Sequence, residues 1–462
     1  MATKRLVLIN PVGRRSGYML SRFSLFPPLS LAYVAAVTPD SWDVRIVDEN
    51  FGPSALEEAD LVGITAFTSN IGRAYQLATL YRQRGIPVVL GGIHASMLPE
   101  EALQYADAVV KGEVEGIWAK VLDDFERNRL GGIYQGPVLD LSTFDIQPRR
   151  DLLHPEYLWN SIQTSRGCPF DCHFCSVSRY MGKTYRQRTA SSVLEELATI
   201  DGPYLFFLDD NLIGYSPASR NRAIQLFQGM IDAGIQKTWW MQASINVAED
   251  PEVLKLASQA GCAYVFIGFE TTDADSLKGM HKGVNLRTGV ENYRTVVRRL
   301  HEHGIGVLGA FILGNDHESP RYYEDLARFI VSSGIDMVQI SILTPLPGTA
   351  LMDQLQSAGR LLYSDFPADW EKFRFSYLVH RPEGIEPETV YTADNYIKKR
   401  LYSLPSYPVR LLRSFFWIRN PKRSFIVYKL NDALKRSWQN SHYRWKYPDR
   451  FTEVHPAGAY PS

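Results

Sequence analysis

The sequence predicts an α/β protein in three parts: an N-terminal flavodoxin-like doubly wound (Rossmann-like) domain, a partial (βα)6 barrel of TIM type, and a mainly α C-terminal region. Three observations predict it. The first 130 residues alternate short β-branched runs with helical patterns, as a parallel sheet covered by helices does. Six more strand–helix alternations follow the Pro-, Asp- and Arg-rich connector from Gly136 to Pro155, enough for a barrel or partial barrel. Finally, 462 residues, 45% of them hydrophobic, exceed one ordinary core and imply two or three domains. The boundaries expected are 1–135, a linker at 136–158, the barrel at 159–358 and the C-terminal region at 359–462.

In the first domain, strands are expected at Arg5–Ile9, Asp43–Val47, Leu61–Thr65, Pro87–Leu90 and Ala108–Lys111, with helices near 28–37, 70–84, 99–104 and 115–128. Ligands of such sheets sit outside the carboxyl ends of the strands. The loops there are polar or glycine-rich: Thr65 to Ser69, Gly91 to Ser96, and Gly112-Glu113. Any one of them could simply close a tight βα turn; three at successive strand ends suggest a binding surface. Barrel strands are expected at Ser161–Thr164, Tyr204–Leu208, Thr238–Gln242, Tyr264–Gly268, Gly306–Leu313 and Met337–Leu343, separated by helices near 191–200, 218–233, 252–260, 288–303 and 321–333. The site of such a barrel lies at the carboxyl ends of its strands.

Composition excludes several classes. Four cysteines in a chain this long rule out a disulfide-stapled secreted scaffold. No run of ~18 apolar residues occurs, so no membrane span is expected. The N-terminal apolar stretch before Asn10 is too short for a signal peptide and reads as a strand, so a cytoplasmic location with reduced thiols is expected. The balance of 50 basic and 50 acidic residues hides an asymmetry, because residues 396–462 hold 14 Lys and Arg against three acids. That tail, at +11, must face a different surface from the acidic remainder.

Three cysteines fall within eight residues, Cys168-x-x-x-Cys172-x-x-Cys175, after the first barrel strand. Three thiolates on one loop can hold three irons of a 4Fe-4S cubane and leave the fourth iron open. Zinc is the rival, but a structural zinc wants four ligands, and His173 inside the loop has the wrong spacing. Cys262 is remote in sequence; it could be a fourth ligand or an ordinary buried thiol.

This loop, with Phe174 before the last Cys, resembles the signature of the radical S-adenosylmethionine (radical SAM) superfamily. The resemblance implies that the open iron chelates SAM, and that one electron cleaves its C5′–S bond to a 5′-deoxyadenosyl radical. Further strand-end segments match: Asp209-Asp210-Asn211, Gln242-Ala-Ser244, Gly268-Phe-Glu270, Gly314-Asn-Asp and Thr344 to Thr349. On this likeness Phe174, Asp209, Asp210, Gln242, Ser244, Glu270 and Gly314 are the expected SAM-binding residues. Pro27 to Tyr33, Gly91 to Ser96 and Val110 to Glu113 resemble the cobalamin-binding domain of the B12-dependent group, which implies a corrinoid cradled by Thr65, Ser69, Gly91, Gly92, His94, Ser96, Gly112 and Glu113. The Asp-x-His-x-x-Gly motif of the wider B12-binding fold is absent, so a lower axial cobalt ligand does not come from it.

The resemblance implies C-methylation of an unactivated carbon on a small-molecule or lipid-like substrate, with an external one-electron donor of flavodoxin or ferredoxin type. An oxidative cyclase, a rearrangement enzyme, or a radical SAM enzyme with a degenerate B12 domain is the alternative. In the tail, 14 aromatics accompany the 14 basic residues. Such a segment could lie on an anionic membrane, making the protein peripheral to its inner face; it could grip nucleic acid, a weaker reading; or it could be a helical cap packing aromatics on the barrel.

Overall fold

The computed structural model describes residues 3–13 and 25–440. Strands β1 (Lys4–Asn10), β2 (Trp42–Asp48), β3 (Leu61–Thr65), β4 (Val88–Gly91), β5 (Ala108–Lys111) and β6 (Gly132–Gln135) form one sheet in the order β2-β1-β3-β4-β5-β6. Every pairing in it is parallel. Leu6 to Ile9 and Val88 to Leu90 are buried on both faces, so their unbroken apolar runs are what a helix-covered parallel strand requires.

Two features differ from the sequence expectation. The sheet has six strands rather than five; β6 is only four residues long and begins on the second of two glycines, and its Ile133 is exposed, so it carries almost no apolar signature. The Gly91–Ser96 segment is not a loop, because Gly91 is the N-cap of a helix at Gly92–Met97.

The chain continues with β7 (Asn160–Ile162), a short antiparallel pair β8 (Ser165–Arg166) and β9 (Arg186–Gln187), then β10 (Tyr204–Phe207), β11 (Thr238–Gln242), β12 (Cys262–Glu270), β13 (Gly306–Leu313) and β14 (Met337–Ile342). The order β14-β13-β12-β11-β10-β7 runs strictly with the sequence, the arrangement of an open (βα)6 barrel. Helices Ala190–Thr199, Pro217–Asp232, Pro251–Gln259 and Pro320–Ser332 start where the side chains of Thr189, Ser216, Asp250 and Ser319 accept the third helical amide. Three of them begin with proline, whose missing N–H costs nothing at that position.

Alternation along the barrel strands sorts their side chains. Leu205, Phe207, Trp239 and Met241 pack outward against the helices. Phe206, Trp240 and Tyr264 turn inward, and the parallel register sets them side by side. Their rings stack at centroid distances of 3.7 and 5.1 Å. The C-terminal helices Pro387–Tyr402, Ser406–Ile418 and Pro421–Asn440 lay Ile418, Ile426 and Val427 against this inner layer.

The C-terminal region therefore caps the barrel with both aliphatic and aromatic side chains, Trp417 stacking on His301 at 4.5 Å and Tyr396 and Tyr402 packing on the core, while Phe415, Phe416 and Phe425 remain exposed. The part of the basic aromatic tail beyond residue 440 lies outside the described residues. Among the described residues, no helix is long and apolar enough to cross a membrane. Trp240→Ala removes the middle ring of the stack and is expected to cost about 3–5 kcal/mol, read from denaturant unfolding of the cofactor-free protein.

Candidate active site

The antiparallel pair β8–β9 closes the base of the cysteine loop, setting Ser165 opposite Gln187 and Arg166 opposite Arg186. Gly167 follows with φ +88, and a Cβ there would lie 2.2 Å from the Thr184 carbonyl oxygen, so only glycine fits. Backbone bonds pin the loop along its length. The Cys168 amide donates to the Gly182 carbonyl (3.2 Å), the His173 amide to Met280 (3.0 Å), and the Leu351 amide to His173 (3.1 Å).

Cys168, Cys172 and Cys175 thus sit on an anchored loop at the carboxyl end of the barrel. Burial pushes all three thiols up, Cys175 to about 12, and the Lys282 charge acts against it. Ligation needs thiolates, so metal loading here releases protons. Cys262 opens β12 at the other end of the barrel, fully buried, with its thiol 3.6 Å from the Tyr264 carbonyl oxygen; it stands away from the loop. Among the described residues, no three His, Cys, Asp or Glu side chains converge as a set for a single ion. Three thiols on an anchored loop suit a cubane, whose irons each take one thiolate.

Arg166 and Arg186 face each other across β8–β9, an arrangement that like charges alone would destabilise. Glu113, from the loop after β5 in the first domain, resolves it by pairing with Arg166 at 2.9 Å and Arg186 at 2.5 Å. Glu115 takes the second Arg166 amino group at 2.5 Å. All four side chains are shielded from solvent. Burial pushes the Glu113 carboxyl up, but the Arg186 hydrogen bond and the two guanidinium charges outweigh it and hold the group below the usual carboxylate range.

Beside this cluster, between the first domain's strand ends and the barrel mouth, lies a cleft of about 480 Å³. Thr65, Ser69, Gly112 and Glu113 line it, opposite Phe26 and Leu208. Gly112 has φ +85. Gly91 and Gly92 lie behind this surface; a Cβ on Gly92 would approach Thr65 Oγ1 to 2.6 Å, so that glycine serves close packing of strand and helix. Ser96 is buried and accepts the Gly112 amide at 3.0 Å. His94 differs most from expectation. Its buried ring meets Thr68 Oγ1 at 3.1 Å and Glu101 Oε1 at 3.2 Å, and Trp370 covers it edge-on at 5.2 Å. With both nitrogens occupied, His94 ties the sheet to the segment around 370 and does not reach the cleft.

At the barrel mouth, Asp209 also has a different task from the one expected. Its buried carboxylate accepts the Thr164 amide (3.2 Å), the Thr164 hydroxyl (2.9 Å) and the Ser165 hydroxyl, stapling β10 to the start of the cysteine segment. Asp210 is left exposed at the mouth, where the surrounding protein and the Asp209 charge push its carboxyl up. Ser244 accepts from Asn211 Nδ2 at 3.2 Å, and Gln242 Nε2 is 3.5 Å from the Asp209 carbonyl.

Glu270 ends β12 at φ +65, a conformation that disfavours a side chain. The register slips there, and its carboxylate meets Lys282 Nζ at 2.5 Å. Gly268 leaves the room, since a Cβ on it would sit 2.1 Å from Glu270 Oε1. Lys282 Nζ also lies 5.9 Å from the Phe174 ring centroid.

Gly314, at φ +90, is gripped from both sides: its amide donates to Glu318 Oε2 at 2.7 Å, and its carbonyl lies 3.1 Å from His380 Nε2. A second cavity of about 640 Å³ reaches His173 and Phe174 from the side of Glu318 and His380, so the cysteine loop stands between two cavities. Sequence reasoning missed Arg166, Arg186, Glu115, Lys282 and His380. Two of these have a readable cue, because Arg166 adjoins the cysteine motif and Glu115 repeats Glu113 two residues on.

Comparison with known proteins agrees with this architecture. Residues 15–122 match the B12 binding domain family and residues 162–330 the Radical SAM superfamily. The chain is 30% identical over 417 residues to a bacteriochlorophyllide d C-12(1)-methyltransferase of Chlorobaculum tepidum, covering 86% of each chain. It is 32% identical to the hopanoid C-2 methylase of Rhodopseudomonas palustris, over 74% of this chain and 66% of that one. In fold it is similar to the radical SAM methyltransferase TsrM of Kitasatospora setae, solved with cobalamin and a 4Fe-4S cluster, with a TM-score of 0.68, 17% identity, and coverage of 93% of this chain and 100% of that one.

Two substitutions check the geometry. Glu113→Ala leaves Arg186 without its carboxylate, facing an Arg166 that keeps only Glu115, and is expected to cost about 3–5 kcal/mol and to lower the iron bound per chain on reconstitution; unchanged stability would show the Glu113 bridge to be idle. His380 is buried and held down to about 4, by burial first. Its neutral form therefore stabilises the fold fully above pH 6.5, and that contribution is lost as pH falls from 6.5 to 4. At ~1.4 kcal/mol per pH unit this amounts to about 3 kcal/mol, so unfolding of His380→Gln should be less acid-sensitive than wild type by that amount across this window.

Proposed function

Because the chain belongs to the radical SAM superfamily, in the group that carries a B12-binding domain, we propose that it is a C-methyltransferase acting on a large hydrophobic small molecule. Its cofactors are a 4Fe-4S cluster, SAM and cobalamin. The observation that carries the reading is the shared position of the three groups of residues: the cysteine loop stands at the barrel mouth and borders the cleft outside the first domain's strands, with Arg166 belonging to both.

The residues present fit these groups. Three thiols on a loop pinned by backbone bonds would hold three irons, and Cys262, at the far end of β12, leaves the fourth open. The glycine-lined, polar edge of the cleft at Thr65, Ser69 and Gly112 would take the corrinoid, facing the apolar wall of Phe26 and Leu208. When bound, the cluster and SAM supply a 5′-deoxyadenosyl radical and the corrinoid supplies the methyl group.

The protein's own part is to position and to exclude water. Asp210, Gln242, Ser244 and the Glu270–Lys282 pair line the mouth as polar contacts for SAM, with Gly314 held rigid by Glu318 and His380. Asp209 acts by positioning, through Thr164 and Ser165. No side chain is required as a general base. Residues 1–135 would form the cobalamin module, 159–358 the radical module and 359–462 the cap, joined by a linker at 136–158.

The substrate class rests on the relatives, which methylate bacteriochlorophyllide and hopanoids, and on the apolar wall of the cleft. The reducing equivalent would come from a flavodoxin- or ferredoxin-type donor in the cytoplasm, and the protein would work at the inner face of the membrane.

Anaerobic reconstitution with iron, sulfide and hydroxocobalamin, followed by SAM, reductant and a candidate acceptor, tests the reading. Formation of both 5′-deoxyadenosine and S-adenosylhomocysteine is expected, with both lost in Cys175→Ala. Absence of 5′-deoxyadenosine would overturn the radical chemistry. Its formation without S-adenosylhomocysteine would replace methylation by cyclisation or rearrangement.

A further inference from the structure

The helix Ser406–Ile418 is built the wrong way round for a protein in water. Its buried side carries Arg410 and Ser414 beside Ile418, while Leu412, Phe415 and Phe416 are exposed, Phe416 at 70%. A surface helix normally turns its apolar stripe to the core. Here the core side is polar because Arg410 stays inside, stacked on Tyr402 and Tyr407 at 5.4 and 5.7 Å and bonded to Asn431 Oδ1 at 3.2 Å.

Val409, Leu412 and Phe416 follow the i, i+3, i+7 spacing of one stripe, and the turn before the helix carries Leu404, 85% exposed. Around the stripe stand Arg400, Arg413, Arg419 and Lys422, all exposed. Between residues 396 and 440 the only acid is Asp432.

We propose that this outer face of the Ser406–Ile418 helix, with Leu404 at its edge, docks the protein on an anionic lipid bilayer, the apolar stripe entering the headgroup region and the basic rim meeting lipid phosphates. Its chemistry disfavours the other occupants. Nucleic acid is gripped by successive rings that stack on bases, whereas most of this face is aliphatic, with Leu404, Val409 and Leu412 beside Phe415 and Phe416. A second copy related by a two-fold axis would bring the same basic rim against itself.

This placement extends the proposed membrane location of the catalytic reading but stands apart from it, because no residue of the helix belongs to the site. The test is co-sedimentation of the full chain with phosphatidylcholine vesicles containing about 30% phosphatidylglycerol, against phosphatidylcholine alone. The protein is expected to pellet with the anionic vesicles at least about tenfold more, and the Leu412→Ser/Phe415→Ser/Phe416→Ser variant and the Arg413→Glu/Lys422→Glu variant to lose that excess. Both should keep wild-type 5′-deoxyadenosine formation, which separates a failure of docking from a failure of catalysis.

Protein that stays in the supernatant, or a serine variant that pellets like wild type, overturns the proposal. So does a serine variant that only converts a dimer to a monomer, or only loses a single-stranded oligonucleotide, with vesicle binding unaffected.

Discussion

Two arginines that must sit side by side, and the carboxylate that lets them, organise this protein. Arg166 and Arg186 are cross-strand partners at the neck of the cysteine loop. Without an anion between them the neck would open, and the three thiols would lose their common frame. That anion is Glu113, which does not belong to the barrel at all. It comes from the end of β5, the same strand end that builds the edge of the cleft. One carboxylate therefore bonds the loop that can carry the iron–sulfur cluster to the surface that can carry the corrinoid. Stability of the loop and docking of the domains become the same interaction, and a buried arrangement of this kind is costly to break from either side.

The rest of the mouth repeats the pattern of backbone held by buried charge. Asp209 pulls β10 onto Thr164 and Ser165, immediately ahead of Arg166. Glu318 and His380 hold both faces of the Gly314 peptide. Glu270 accepts a left-handed backbone so that its carboxylate can meet Lys282. Asp209, Glu318 and His380, which sequence reasoning would assign to a ligand or overlook, are spent on shape. What remains open toward the mouth is a smaller set, with Asp210 foremost.

Much of the fold was legible because parallel sheets announce themselves. Leu61–Thr65, Ala108–Lys111, Thr238–Gln242 and Gly306–Leu313 have the expected bounds, since strands buried on both faces read as unbroken apolar runs. The strand β6 escaped because a four-residue edge strand has no such run. Of the site, the cysteines were legible by spacing. The buried roles of Asp209 and His94 were not, since a strand-end Asp and a His just after a strand look the same in sequence whether they point outward or inward. Arg186 was beyond reach for a different reason, because its importance arises only when β9 pairs with β8 and Glu113 arrives from more than 70 residues away. The C-terminal helices were anticipated as a cap, but the inversion of the Ser406–Ile418 helix depends on Arg410 staying inside, which no amphipathic pattern signals.

If one carboxylate joins cleft and loop, occupancy of one should be felt by the other, and by linkage the effect is reciprocal. The most direct measurement is the dissociation constant of hydroxocobalamin for cluster-free and cluster-loaded protein, in wild type and in Glu113→Gln. Tighter binding to the cluster-loaded wild type, by about fivefold or more, with the difference gone in Glu113→Gln, is the result predicted. Equal affinities in all four states would contradict the account, because cleft and cysteine loop would then be neighbours without being coupled.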